Sequence, residues 1–148
     1  MSNTNKSEQP NFLIVMADQL TAPAVGAYGN PVVQTPHMDK LAKNGVLFEN
    51  AYCNSPLCAP SRFSMMSGQL PSHIGAYDNA SEFPARIPTF AHYLRDMGYQ
   101  TCLSGKMHFI GPDQLHGFEE RLTTDIYPAD FGWTPDWEAR DQRVDWWC

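Results

Sequence analysis

No stretch of this 148-residue sequence looks able to span a bilayer: the longest early apolar run, Phe12 to Ala17, falls far short of the ~20 residues a spanning helix needs. That run also lacks the charged flank and small-residue cleavage site of a signal peptide, so no membrane partner is expected and a cytoplasmic location is. Basic residues are scarce. Lys and Arg number 10 against 16 Asp and Glu, for a formal charge of −6, and they are spread too thinly to track a phosphate backbone, so nucleic acid is not an expected partner. Cysteine is sparse too: Cys53, Cys58, Cys102 and Cys148 form no CxxC pair and no small-scaffold spacing, which argues against a disulfide framework and a zinc ribbon. There is no internal repeat and no low-complexity tract.

What is present suits a globular chain, with 43% hydrophobic and 18% charged residues, and 12 Pro with 10 Gly make it rich in loops. Residues 1–10 are polar and read as a disordered lead-in, leaving 11–148 as the structured part. Asn11 to Ala17 is a nearly continuous apolar run of the kind a strand buried on both faces requires. It ends at Asp18, which a strand there would place at its carboxyl end, where open α/β sheets build their sites. Thr35-Pro36 opens a helix with Met38, Leu41 and Ala42 on its apolar side, stopped at Gly45. Val46 to Cys53 reads as a second extended segment. Asn54 to Pro60 is a turn-rich loop and Ser61 to Ser67 a helix, so Cys58 falls in the approach to a helix amino terminus.

Thr89 to Met97 repeats the helical pattern through Phe90, Tyr93, Leu94 and Met97 and is closed by Gly98. Tyr99 to Ser104 is a third strand, delivering Gly105-Lys106-Met107-His108 to its carboxyl end. The alternation predicts an α/β fold with a mainly parallel sheet flanked by helices. Beyond Gly117 the periodicity fades, and all four Trp fall within the last sixteen residues among Asp, Pro and Arg. The chain stops inside that segment, which is the expectation for an incomplete domain.

Four groups of residues carry chemistry. Cys58-Ala59-Pro60-Ser61-Arg62 puts a thiol just before a helix amino terminus with a guanidinium one turn on to hold an anion; a buried cysteine on a helix-entry turn is the plain alternative. Asp18-Gln19 offers oxygen donors suited to a hard cation, or simply an N-cap. Lys106 and His108, two apart in extended chain, face the same way and so could reach one anion; a surface Lys and a capping His would look the same. Asn79, in Tyr77-Asp78-Asn79, is either a polar contact to substrate or a turn residue. His73 reads as scaffold, and Cys53 and Cys102 as core.

Taken together, these residues resemble type I sulfatases, whose signature is Cys-x-Pro-x-Arg. The likeness extends through Pro56-Leu57, Ser64, Ser67 and Gly68 and runs from about Asn11 to the end. It implies an alkaline-phosphatase-like α/β fold, of which this chain is the amino-terminal part. It also implies that a maturation enzyme oxidises Cys58 to formylglycine, whose hydrate attacks sulfur with one hydroxyl and expels sulfate by collapse of the other. By the same resemblance Asp18, Gln19 and the modified Cys58 hold a divalent cation, most simply Ca²⁺, that activates the nucleophilic oxygen. Arg62, Lys106 and His108 complete the catalytic set, Lys106 bridging sulfate and nucleophile, and Asn79 contacts the transferred sulfate. Family members commonly carry a second acidic residue at this place; this sequence has Gln19 instead, as choline-sulfatases and phosphonate monoester hydrolases do, so Gln19 is expected as a second ligand or as a hydrogen-bond partner of the formylglycine.

The choline-sulfatase branch is also resembled in Asn11–Leu20, Gly105–Glu119 and Asp130–Trp137. A quaternary ammonium donates no hydrogen bond, so it is selected by aromatic faces and a nearby carboxylate. Trp133 and Trp146 are the expected lining of a choline pocket. The expected substrate is therefore choline sulfate, and the full-length form is expected to be a homo-oligomer. Two rivals stand beside this reading. One is a phosphonate or phosphate ester hydrolase on the same frame. The other is a truncated, non-catalytic fragment, because the remaining metal ligands and the leaving-group acid of the family come from sequence beyond residue 148.

Overall fold

The computed structural model describes residues 9–123. They fall into two units that divide after Ala51. Among them no helix is long and apolar enough to cross a membrane.

In the first unit, two short 3-10 turns, Ala22–Ala24 and Gly26–Tyr28, precede helix α1, Pro36–Asn44. Pro36 takes the first helical position, where its missing N–H costs nothing, and Gly45 ends the helix as the sequence predicts. Thr35 does not cap α1 with its side chain. Its hydroxyl accepts from the Gly26 N–H at 2.8 Å and donates to Asp39 Oδ1 at 2.8 Å, which ties the preceding turn to the helix. The segments 11–17 and 46–53, expected as strands, are not in strands. Leu13 and Val15 are 87% and 83% exposed, and Val46 and Phe48 are exposed as well. Strand structure is a property of a ladder, and among the described residues the ladder forms elsewhere, so an apolar run with strand composition stays irregular.

The second unit holds the core. Helix α2 spans Cys58–Ser67, three residues earlier than the sequence suggests, and Cys58 is thus its first residue. Pro60 sits in the first turn, where helix N–H groups have no intrahelical partner, so it does not oppose the earlier start. Gly68, at φ 69°, closes α2 with its N–H on Ser64 O at 2.8 Å. Helix α3, Pro71–Ile74, and helix α4, Phe90–Asp96, follow. At the start of α4 the Thr89 N–H donates to His92 Nδ1 at 3.1 Å, an imidazole doing what Glu does in a capping box.

Ala59, Phe63 and Met66 recur at helical spacing and put one face of α2 against Ile74, Phe83, Ala91 and Phe109. Phe63 stacks on Phe83 with centroids 4.5 Å apart. Strand β1, Cys102–Leu103, pairs in parallel with β2, Glu120–Arg121, in the register Cys102 with Glu120 and Leu103 with Arg121. β2 lies where sequence periodicity had faded, because a two-residue strand leaves no period to read. Cys53 and Cys102 are exposed, not core. In β1 the alternation turns Leu103 inward and Cys102 out.

Gly117 is fixed by its surroundings: φ is +96°, and an added Cβ would stand 2.7 Å from the His92 backbone nitrogen.

Candidate active site

The second unit brings Cys58, Arg62, Asn79, Lys106 and His108 together. Leu57, in extended conformation, turns the chain into α2, so Cys58 stands half-buried at the helix amino terminus, followed by the buried Ala59 and Pro60. Asn54 Nδ2 donates to Ser64 Oγ at 2.7 Å and folds the approach loop back on the helix.

Lys106 Nζ lies 3.6 Å from Cys58 Sγ, within the longer range of hydrogen bonds to sulfur. Arg62 is buried at 6% exposure, and its Nη1 donates to Lys106 O at 2.7 Å with Met107 Sδ at 4.0 Å. The guanidinium therefore holds the backbone of the Gly105–His108 loop to α2, a task the sequence did not reveal beside the expected anion contact.

His108 is fully buried and has φ 59°, a conformation uncommon for a residue with a Cβ. Its Nε2 is 3.0 Å from Asn79 O. A carbonyl only accepts, so Nε2 carries a proton in this contact. The left-handed backbone also breaks the extended geometry that would have aimed Lys106 and His108 alike: Lys106 reaches the thiol and His108 turns to Asn79. Asn79 Oδ1 accepts from the Ala59 N–H at 3.0 Å. Non-glycine residues at positive φ are Gln19, His108 and His116 among the described residues, and two of the three were already singled out by chemistry.

Asp18 and Gln19 form an exposed turn in the first unit. Their side chains offer a carboxylate and an amide oxygen, donors of the hard type Ca²⁺ prefers. Among the described residues no group of three or more His, Cys, Asp or Glu is placed to hold a metal. Trp133 and Trp146 lie outside the described residues.

Sequence reasoning missed His116. It is wholly buried, stacked on Phe83 at 4.3 Å and 4.5 Å from Phe109. Burial pulls its pKa down to about 4, the nearby Asp113 carboxylate opposing and His92 and Arg121 assisting. Its Nδ1 is 3.6 Å from Asp113 Oδ2, and neither ring nitrogen makes a hydrogen bond. With the ring neutral this approach is an ion–dipole contact and not an ion pair. Burial pushes the Asp113 carboxyl up, but the His116 and Leu115 backbone N–H groups outweigh it, so the net shift is downward. Asp113 Oδ1 accepts from both, at 3.0 and 2.9 Å, in an Asx turn that the sequence reading did not single out.

The Sulfatase family model matches residues 10–142. The chain is 58% identical over 139 residues to a choline-sulfatase of Rhizobium meliloti (strain 1021), an alignment covering 94% of this chain and 27% of that protein. Its structure resembles that of a 2-O GAG sulfatase, with TM-score 0.69 and 35% identity over 82% of this chain and 27% of the other. It also resembles the phosphonate monoester hydrolase of Agrobacterium radiobacter, with TM-score 0.62 and 27% identity over 70% of this chain and 25% of that one. The chain spans about a quarter of the length of these relatives. The small parallel ladder with its helices is an α/β portion of the alkaline-phosphatase-like sulfatase fold. The likeness read from Cys58-Ala-Pro-Ser-Arg62 is one of common descent: the chain belongs to the sulfatase family.

Proposed function

We propose that the chain carries the nucleophile of a sulfuric ester hydrolase whose substrate is choline sulfate. The observation that carries this reading is the placement of Cys58 at the start of α2 with Lys106 Nζ 3.6 Å from its sulfur, in a chain similar to a choline-sulfatase.

Formylglycine, installed at Cys58 by a maturation enzyme, would supply a hydrated aldehyde: one oxygen for displacing the alcohol from sulfur, and a second whose deprotonation releases sulfate as the aldehyde re-forms. Cys58 Sγ marks where those oxygens project, beside partial positive charge from the helix amino terminus. Lys106 sets a full positive charge there, so it favours both an ionised nucleophile and the approach of a sulfate oxygen. Arg62 keeps Lys106 in place through its carbonyl. His108, with Nε2–H committed to Asn79 O, takes or gives a proton at Nδ1. Asn79, its oxygen on Ala59, presents its amide N–H₂ as the donor for a sulfate oxygen.

Asp18 and Gln19 are the proposed oxygen donors to a divalent cation, Ca²⁺ by the hardness of the donors, which when bound activates the nucleophilic oxygen. Trp133 and Trp146 are the proposed aromatic faces for the choline ammonium. The likeness to a phosphonate monoester hydrolase, together with Gln19, supports a second reading in which the same frame cleaves phosphonate or phosphate esters.

A side-by-side assay separates the two. Enzyme whose Cys58 peptide has the mass of the aldehyde is given choline sulfate and a phosphodiester. Faster turnover of choline sulfate is expected, faster turnover of the phosphodiester favours the second reading, and no turnover of either by converted enzyme rejects both.

A further inference from the structure

We infer that Asn79 is a positioning residue: it joins the helix that carries the nucleophile to the catalytic histidine, holding one with its side chain and the other with its backbone. Asn79 Oδ1 accepts from the Ala59 N–H at 3.0 Å, and Asn79 O lies 3.0 Å from His108 Nε2.

Each bond answers a need at the other end. Ala59 is in the first turn of α2, where N–H groups have no carbonyl within the helix to bind. It is fully buried, so water does not serve it either, and an acceptor must come from elsewhere in the chain. Asn79, twenty positions on, provides that acceptor. His108 is also fully buried, with its backbone in the left-handed region, and its proton at Nε2 is fixed by the Asn79 carbonyl. That carbonyl, which can only accept, requires the proton at Nε2.

Asn79 can hold two partners because its own backbone is held. Asp78 Oδ1 accepts from the Ala80 N–H at 2.9 Å and from Ser81 Oγ at 2.9 Å. Ser81 Oγ in turn accepts from the Tyr77 and Asp78 N–H groups at 3.1 and 3.2 Å. The turn Tyr77–Ser81 is thus closed on both sides of Asn79. The bond from Ala59 also settles which way the Asn79 amide faces, since an N–H can only meet the oxygen. Together with Arg62 on Lys106 O, this gives two separate ties between the first turns of α2 and the Gly105–His108 loop. The catalytic consequence rests on the function proposed above; the positioning itself does not.

Two substitutions in the full chain test this: Asn79→Ala, which removes the side-chain acceptor, and Asn79→Asp, which keeps it and replaces the N–H₂ donor with a negatively charged oxygen. Amide hydrogen exchange reads the structural arm. Asn79→Ala should raise exchange at Ala59 by about tenfold while Ser61, whose N–H binds Leu57 O, is unchanged, and Asn79→Asp should restore Ala59 to its parent rate. Kinetics of the converted enzyme reads the other arm: Asn79→Ala lowers kcat, and Asn79→Asp recovers kcat while raising KM through repulsion of sulfate. Unchanged protection of Ala59 in Asn79→Ala, or kcat as low in Asn79→Asp as in Asn79→Ala, overturns the proposal. If the converted parent hydrolyses no sulfate ester, the function proposed above fails, and exchange at Ala59 alone decides the role of Asn79.

Discussion

Lys106 Nζ and Cys58 Sγ meet at 3.6 Å across 48 positions of sequence, so the cation and the sulfur are brought together by tertiary structure and not by local spacing. The bond from Arg62 to the lysine's own carbonyl fixes the backbone from which that side chain starts.

Lys106→Met keeps most of the side-chain volume and removes the charge. In converted enzyme it should lower kcat for a sulfate ester by about 10²- to 10³-fold, the usual cost of one preorganised donor. Lys106→Arg should not restore the rate, because a planar guanidinium cannot place a point charge at the same spot. Steady-state kinetics on both variants decide this, and near-parent kcat in Lys106→Met removes Lys106 from the chemistry.

Arg62→Lys tests the tie itself. A shorter, single-headed ammonium in a buried site should fail to reach the Lys106 carbonyl, with a loss of about 1–3 kcal/mol in unfolding free energy by urea titration. Conversion of Cys58 can be scored separately on the same protein by peptide mass.

His116 should make the fold sensitive to acid. Its pKa falls from 6.5 to about 4 in the folded chain, so between those values the unfolded chain binds more protons and stability declines as pH falls. The contribution is intact above pH 6.5 and gone below about 4, a total on the order of 3 kcal/mol. Denaturant midpoints from pH 7.5 to 4 should show this slope in the parent and a shallower one in His116→Phe, which keeps an aromatic ring beside Phe83 and Phe109. An identical slope in both would assign the acid sensitivity to other groups.

Trp133→Ala should raise KM for choline sulfate by about tenfold or more while leaving KM for an uncharged aryl sulfate nearly unchanged, because the quaternary ammonium has only aromatic faces and charge to bind it. Equal effects on the two substrates would place Trp133 outside the choline pocket.

Much of the second unit was readable beforehand. The helices at 58–67 and 90–96 were expected at 61–67 and 89–97, the first from the turn-rich loop before it and the second from its apolar spacing and the closing Gly98, all of which are local signals. Cys58, Lys106 and His108 could be named because their residue types and order match a known signature. The strands at 11–17 and 46–53 were misjudged because apolar composition marks what a strand would bury and not whether a neighbour is there to pair with it. Arg62's grip on Lys106 O, Asn79's double bond-making and His116's burial were not readable, since each depends on a backbone atom or aromatic ring many residues away.

Gly117 offers a last consequence. With a backbone atom of His92 less than one methyl group away, any side chain at 117 would pry the start of α4 from the turn that seats Phe118 and receives the Thr101 hydroxyl. A mutational survey scored only by catalytic output would therefore rank 117 among the most sensitive positions in the chain. That ranking would record a failure to assemble and not a part in the chemistry.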